Sequence, residues 1–398
     1  MSQTREDGID HVFVFLQIFE CEGGIQSYVK DVLQAYRSLA PQSPARTTSE
    51  IFLLRDGTGC ENPLDLHPLK FHYLKNKYPV LGRLRLAMSL LHCLWQRKPK
   101  HVFCGHIRLA VMTQLMCQTL GIPYTVLTYG KEVWERLPDQ QRQALVKADG
   151  IWTISRYSRD RMCAANEIEP EKVQMLPCVV DGDRFTPGAT SPELIERYGL
   201  AESKVLMTVA RLWSGDIYKG VDVTIRALPL IAQVIPQVKY LVIGRGDDQP
   251  RLAQLAQDLG VGDRVVFAGF VPTDDLPDHY RVADAYIMPS QEGFGIVYLE
   301  AMACGKPVLA GNADGSADPL QDGRLGWQVP YRDPEAVANA CIEILQGQDQ
   351  RCDGEWLREQ CLAEFSKGAL TQRLKKLLNT ATVAPVTDSL IALNLRSR

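Results

Sequence analysis

The chain has 398 residues, 45% hydrophobic and 23% charged, the make-up of a globular protein long enough for two domains and a large core. Its 44 Lys and Arg against 47 Asp and Glu leave a net charge of −3, so overall charge points to neither nucleic acid nor an anionic membrane as a partner. Eleven cysteines are scattered without CxxC pairs or metal-type spacing, several in apolar runs (Cys104, Cys117, Cys304). That is the pattern of reduced, buried thiols in a cytoplasmic protein, not of a disulfide framework. The first ten residues are polar and no uncharged run is long enough to span a bilayer, so neither a signal peptide nor a transmembrane helix is expected.

Short apolar runs alternate with helical patterns from end to end, which predicts α/β architecture with parallel sheets. In the first half, strands are predicted near His11–Phe15, Ile51–Leu54, His101–Cys104, Tyr124–Thr128 and Ile151–Ile154. The pattern restarts at Val205–Ala210 and continues through Tyr240–Ile243, Val265–Ala268, Ala285–Met288 and Pro307–Ala310. Between the halves, Leu176 to Pro187 carries the proline, glycine and aspartate punctuation of a linker. The expectation is two doubly wound, Rossmann-like domains, residues 1–178 and 179–365, facing across a cleft. Such sheets bind ligands at the carboxyl ends of their strands. From about residue 380 the pattern weakens into a loosely ordered tail.

The most informative stretch is Pro289 to Gly305. After the strand ending at Met288, Glu292-Gly293-Phe294-Gly295 reads as a tight loop and Ile296 to Cys304 as a helix, with Gly305 as its C-cap. A glycine loop between strand and helix brings bare N–H groups and the positive end of a helix dipole to one point, an anion site suited to phosphate. Glu292 lies in the loop and Glu300 about one turn into the helix. Two carboxylates cannot both serve a phosphate, but they suit hydroxyls on either side of it, as in a sugar diphosphate-ribose. Arg211 and Lys219-Gly220, in the loop after the strand ending near Ala210, emerge at the same edge, where they could neutralise a diphosphate. Near the N-terminus, Gly23-Gly24 follows the first strand and would let backbone approach a phosphate or sugar closely; alone it reads equally as an ordinary tight turn.

Taken together and in this order, these residues resemble the glycosyltransferases of GT-B architecture, specifically the large retaining family 4. The resemblance runs from Gly23-Gly24 to about Leu378. Its most specific parts are Arg211…Lys219-Gly220 and the E-x7-E pair Glu292/Glu300, flanked by Pro289-Ser290 and Ala301 to Pro307, with Val180-Asp181…Arg184-Phe185 in the linker. It implies a UDP- or GDP-linked sugar as co-substrate, no metal, and an acceptor (sugar, lipid-linked sugar or polysaccharide) on the N-terminal domain. It also implies a last helix, about 366–379, crossing back to that domain. By resemblance, Arg211 and Lys219 hold the diphosphate, Glu300 the ribose and Glu292 the donor sugar. The backbone of Gly293, Phe294, Gly295, Ile296 and Val297 surrounds sugar and phosphates, and Phe270-Val271 packs on the base through main chain. Gly23 and Gly24 face the diphosphate or acceptor.

One position departs from the family. Where many members carry a histidine beside the transferred sugar, this chain reads Thr128-Tyr129-Gly130-Lys131-Glu132. Tyr129 could hydrogen-bond the sugar in its place. His106, after the preceding strand, could reach the same cleft, although a lone histidine in such a loop is more often a surface or capping residue. His67, His72, His92 and His101 show no metal spacing. Residues 79–99, with Arg83, Arg85, Arg97 and Lys98 around Leu, Met and Trp95, could rest on a membrane surface at the inner face of the membrane. A domain-packing helix with basic ends is the favoured reading. A nucleotide-binding assembly subunit without transferase activity, or a GT-B epimerase or phosphorylase, would share the anion site. A nicotinamide dehydrogenase would need a GxGxxG that is missing.

Overall fold

The computed structural model describes residues 10–39 and 49–382; the polar first nine residues and most of the expected tail, from 383 on, lie outside the described residues. The first unit runs β1 (His11–Phe15), α1 (Gly24–Leu39), β2 (Ser49–Leu53), β3 (Leu69–Tyr73), α2 (Pro79–Arg97), β4 (His101–Cys104) and α3 (Ile107–Leu120). It continues through β5 (Tyr124–Thr128), α4 (Asp139–Val146), β6 (Gly150–Thr153), α5 (Arg156–Asn166) and β7 (Val173–Met175). All neighbours pair in parallel, in the order β3-β2-β1-β4-β5-β6-β7.

The second unit runs α6 (Pro192–Tyr198), β8 (Lys204–Val209), α7 (Val221–Val234), β9 (Val238–Ile243), α8 (Gln249–Asp258), β10 (Val265–Gly269), α9 (Leu276–Val282) and β11 (Ala285–Met288). It ends with α10 (Ile296–Ala303), β12 (Val308–Gly311), β13 (Trp327–Val329), α11 (Pro334–Gln346), α12 (Gly354–Phe365) and α13 (Lys367–Thr382). Its parallel sheet has the order β10-β9-β8-β11-β12-β13. Both are doubly wound sheets, as the alternating pattern predicts.

The ten predicted strands are all present, within two residues at each end, because most are buried apolar runs; β10, half-buried at a sheet edge, is the exception. The three that the sequence reading missed, β3, β7 and β13, all lie at sheet edges. There an outer face meets solvent, and Leu-Lys-Phe-His-Tyr in β3 never forms a continuous apolar run.

The helix α2 only partly fits the domain-packing reading. Leu86, Leu90, Cys93 and Leu94 bury one face, while Val80, Leu84, Met88, Leu91 and Trp95 form an apolar stripe on the opposite, exposed face. Val80 is 74% exposed and Trp95 64%. Packing explains half of this helix.

Two crossings join the units and lie side by side. The Val180 amide donates to Phe365 O at 2.9 Å, just where α12 hands over to α13, and Lys367 pairs with Asp181. From there α13 packs along α1 of the first unit. The units also meet directly. Arg156, at the start of α5, donates from its backbone amide to Asp318 at 2.6 Å and from its guanidinium to Asp322 at 2.8 Å.

Candidate active site

The loop between β11 and α10 is fixed from below. Tyr298, in the first turn of α10, donates its hydroxyl to Met288 O at 2.7 Å and sits 3.0 Å from the buried Ser290 hydroxyl. From the side, Asp314 accepts the Glu292 amide at 2.6 Å and the Ser316 amide at 2.9 Å, while Gly315 N donates to Glu292 O at 2.8 Å. Burial raises the Asp314 pKa to about 6, against the pull of Ser316 and the amides it accepts. Gly295 closes the loop at φ 93°, and a side-chain carbon there would stand 2.4 Å from the Tyr298 ring, so this position admits only glycine. Ile296 and Val297 then open α10, leaving their amides without intrahelical partners.

The second loop delivers the cations. Lys219 ends a short 3-10 turn and its ammonium pairs with the Glu292 carboxylate. Burial opposes its charge, but Glu292, Tyr218 and Asp216 outweigh that cost and raise its pKa. Gly220 makes the placement, with φ 75° and a would-be side-chain carbon 2.4 Å from Pro289 O. Arg211 is 58% exposed, 3.1 Å from Asp216, with its guanidinium 4.7 Å over the Trp213 ring. The Arg211, Lys219 and Glu292 loops therefore converge.

Glu300 lies one turn along α10, where the Tyr280 hydroxyl donates to it at 2.7 Å; burial nevertheless raises its pKa. Phe294 is buried, edge-on to Phe365 at 5.9 Å, so only its backbone is available to a ligand. Val271 is likewise buried, while Phe270 is 54% exposed with the Arg245 guanidinium 4.8 Å from its ring. Gly23 and Gly24 are exposed where α1 begins, and a side-chain carbon on Gly24 would meet nothing within 4 Å. The chain's own packing does not demand glycine there.

On the N-terminal face, the two expected sugar contacts are otherwise engaged. The Tyr129 hydroxyl donates to Gly105 O at 2.8 Å and its ring stands edge-on to Tyr28, so it points into its own domain and not at a sugar. A buried tyrosine hydroxyl needs a partner, and this one finds the Gly105 carbonyl inside its own domain. His106 caps α3, its Nδ1 accepting the Arg108 amide at 3.1 Å; burial and Arg108 lower its pKa to about 4, keeping it neutral. What reaches across is backbone: Tyr129 O lies 3.0 Å from where a side-chain carbon on Gly293 would stand. Beyond it, Lys131 places its ammonium 3.2 Å from the centre of the Tyr218 ring. The sequence reading gave no role to Asp314, Tyr218 or Lys131. An Asp-Gly-Ser turn directly after a buried strand was the available signal for Asp314. Among the described residues no group of three or more His, Cys, Asp or Glu could hold a metal ion.

The pattern of the family described as Glycosyl transferases group 1 matches residues 203–347. A GDP-mannose-dependent alpha-(1-6)-phosphatidylinositol monomannoside mannosyltransferase of Mycolicibacterium smegmatis is 38% identical over 233 residues, 55% of this chain and 59% of that protein. The Mycobacterium tuberculosis protein of the same name is 32% identical over 292 residues, covering 70% of this chain and 73% of its own length. The chain belongs to the group 1 glycosyl transferases. In fold, this group 1 transferase superposes on Anabaena HepE, solved with UDP, at TM-score 0.76 and 21% identity, over 94% of this chain and all of the other. It likewise superposes on sucrose-phosphate synthase from Thermosynechococcus elongatus, at TM-score 0.71 and 19% identity, over 94% of this chain and 98% of the other. The two sheets are thus a GT-B pair.

Proposed function

We propose that the protein transfers mannose from GDP-mannose to a hydroxyl of a glycolipid acceptor. The observation that carries this is the pairing of Lys219 with Glu292 beside Arg211, at the open N-terminus of α10. Breaking an anomeric bond leaves positive charge on the sugar and negative charge on the diphosphate. In this reading Arg211, Lys219 and the α10 amides take the diphosphate, while the nearby Glu292 carboxylate faces the sugar. Glu300 accepts the ribose hydroxyls, and the Gly269–Val271 backbone lies along the base. The curated relatives' names favour the guanine donor, and phosphatidylinositol mannosides favour a lipid-borne acceptor. No metal is required, since the cations are side chains. Transfer proceeds with retention, by front-face attack in which a donor phosphate oxygen takes the acceptor proton.

A thermal-shift panel of GDP-mannose, GDP, UDP-glucose and UDP tests the donor. At about 100 times its dissociation constant a ligand stabilises the fold by roughly 2.7 kcal/mol. GDP-mannose should give that shift, and Arg211→Ala and Glu300→Ala should lose it. A shift with UDP-sugars alone would refute the guanine donor, and no shift from any would refute the donor site.

The exposed stripe of α2 supports a further part of the reading, docking of the N-terminal domain on an anionic membrane. There is no Asp or Glu between Asp65 and Glu132, whereas Lys77, Arg83, Arg85 and Lys98 surround the stripe exposed. Each apolar side chain buried in lipid would add about 1.5 kcal/mol or more. Among the described residues no helix is long and apolar enough to cross a membrane. Co-sedimentation with phosphatidylglycerol vesicles, lost in Leu84→Glu/Trp95→Glu, is expected; equal binding by that variant would reject the stripe.

A further inference from the structure

Of the first four residues after β5, three are already committed. The Tyr129 hydroxyl is on Gly105 O, Gly130 lies against Gly293 of the other domain, and Glu132 turns back to accept the Tyr129 amide at 2.6 Å. The Gly130 carbonyl meanwhile accepts the Val133 amide at 3.0 Å, which makes the loop a rigid turn. The one long polar side chain left over is Lys131. It crosses the domain boundary and rests on Tyr218, 3.2 Å from the ring centre. The Lys219 ammonium lies 5.4 Å from the centre of the same ring. Two ammonium groups from two domains therefore share one aromatic ring, an arrangement whose like-charge repulsion an anion between them would relieve.

We propose that Lys131 is a substrate-contacting residue, the cation that the N-terminal domain supplies to the donor diphosphate when the two domains meet. The inference rests on the donor site read above. Charge supports it. Arg211 and Lys219 are matched by Asp216 and Glu292, so these four groups sum to nothing. Lys131 makes the cluster net positive, and the departing nucleoside diphosphate gains one negative charge as the anomeric bond breaks. Lys131 forms and breaks no bond and transfers no proton; it acts by charge and hydrogen bonding alone. Partial burial lowers its pKa, as do Lys219 and Arg211, while Glu292 and Asp216 pull the other way, so the same groups surround it that would surround the diphosphate. The position also accounts for the missing histidine. With Tyr129 turned inward, the polar contact from this loop moves two residues along, to a longer side chain.

Titration calorimetry of GDP and UDP, with GMP and UMP as controls, on the full chain decides it. Lys131→Met should weaken the preferred diphosphate about tenfold, the loss of one charge-assisted hydrogen bond, and leave the matching monophosphate unchanged. Lys131→Arg should restore most of the diphosphate affinity. Turnover should follow, with kcat falling more than KM rises, because the charge is needed most as the diphosphate leaves. Equal weakening of mono- and diphosphate would overturn the proposal, since a merely structural loss of closure would do that. So would a Lys131→Met variant that binds and turns over like wild type. If wild type binds neither diphosphate, the donor-site reading falls and this inference with it; if wild type binds and the variant is unaffected, this inference falls alone.

Discussion

On the C-terminal face of the cleft, Lys219, Glu292 and Asp314 stand on three loops that follow β8, β11 and β12, neighbours in one sheet. On the N-terminal face, the loop after β5 turns its tyrosine hydroxyl inward and offers the cleft a carbonyl and Lys131. The first face is held within one domain, where Asp314 accepts two backbone amides and Lys219 pairs with Glu292. The second contributes only where the domains touch. In the proposed reading most of the donor site is built by one domain, while Lys131 and commitment to transfer depend on two.

Four substitutions would break or sharpen that contrast. Lys219→Ala should have the largest effect, a loss of about 10² to 10³ in kcat, because in the proposed reading it removes a cation from the developing diphosphate charge, and it strands Glu292 beside it. Steady-state rates at saturating donor measure it; a loss under tenfold would mean that this face does not carry the chemistry.

Asp314→Asn should come next, about tenfold in kcat/KM at pH 8, since an amide oxygen cannot accept both the Glu292 and Ser316 amides as a carboxylate does. Its pH dependence is the sharper test. With a folded pKa of about 6 against an ordinary 3.8, Asp314 holds its proton in the native state where the unfolded chain has lost it. Stability thus falls as pH rises from about 4 to about 6. Activity should move the other way, rising through pH 6 as the carboxylate forms and grips the loop. Denaturation midpoints and a pH–rate profile should show both trends in wild type and neither in the variant.

The smallest effect belongs to the residues that the histidine resemblance singled out. Tyr129→Phe should cost about 1 kcal/mol of stability, by leaving Gly105 O without its donor, and change kcat by no more than about twofold. His106→Ala should similarly cost about 1 kcal/mol through the lost cap of α3. A hundredfold loss of kcat in either variant would restore the sugar-contact role that the geometry denies them.

The sequence by itself determined the alternation of buried strands and helices, hence two parallel sheets, and it marked the anion loop. Those signals are local: apolar runs, glycines at forced turns, and charged residues a few positions from strand ends. It did not reveal β3, β7 and β13, whose edge positions relax the demand for unbroken apolar sequence. Only the tertiary structure decided which way the Tyr129 hydroxyl points, that Asp314 grips Glu292 from 22 residues away, that α2 leaves an apolar face uncovered, and that Lys131 reaches Tyr218 across the cleft. Each depends on what stands opposite a side chain once distant segments meet, and no pattern along the chain encodes an opposite partner.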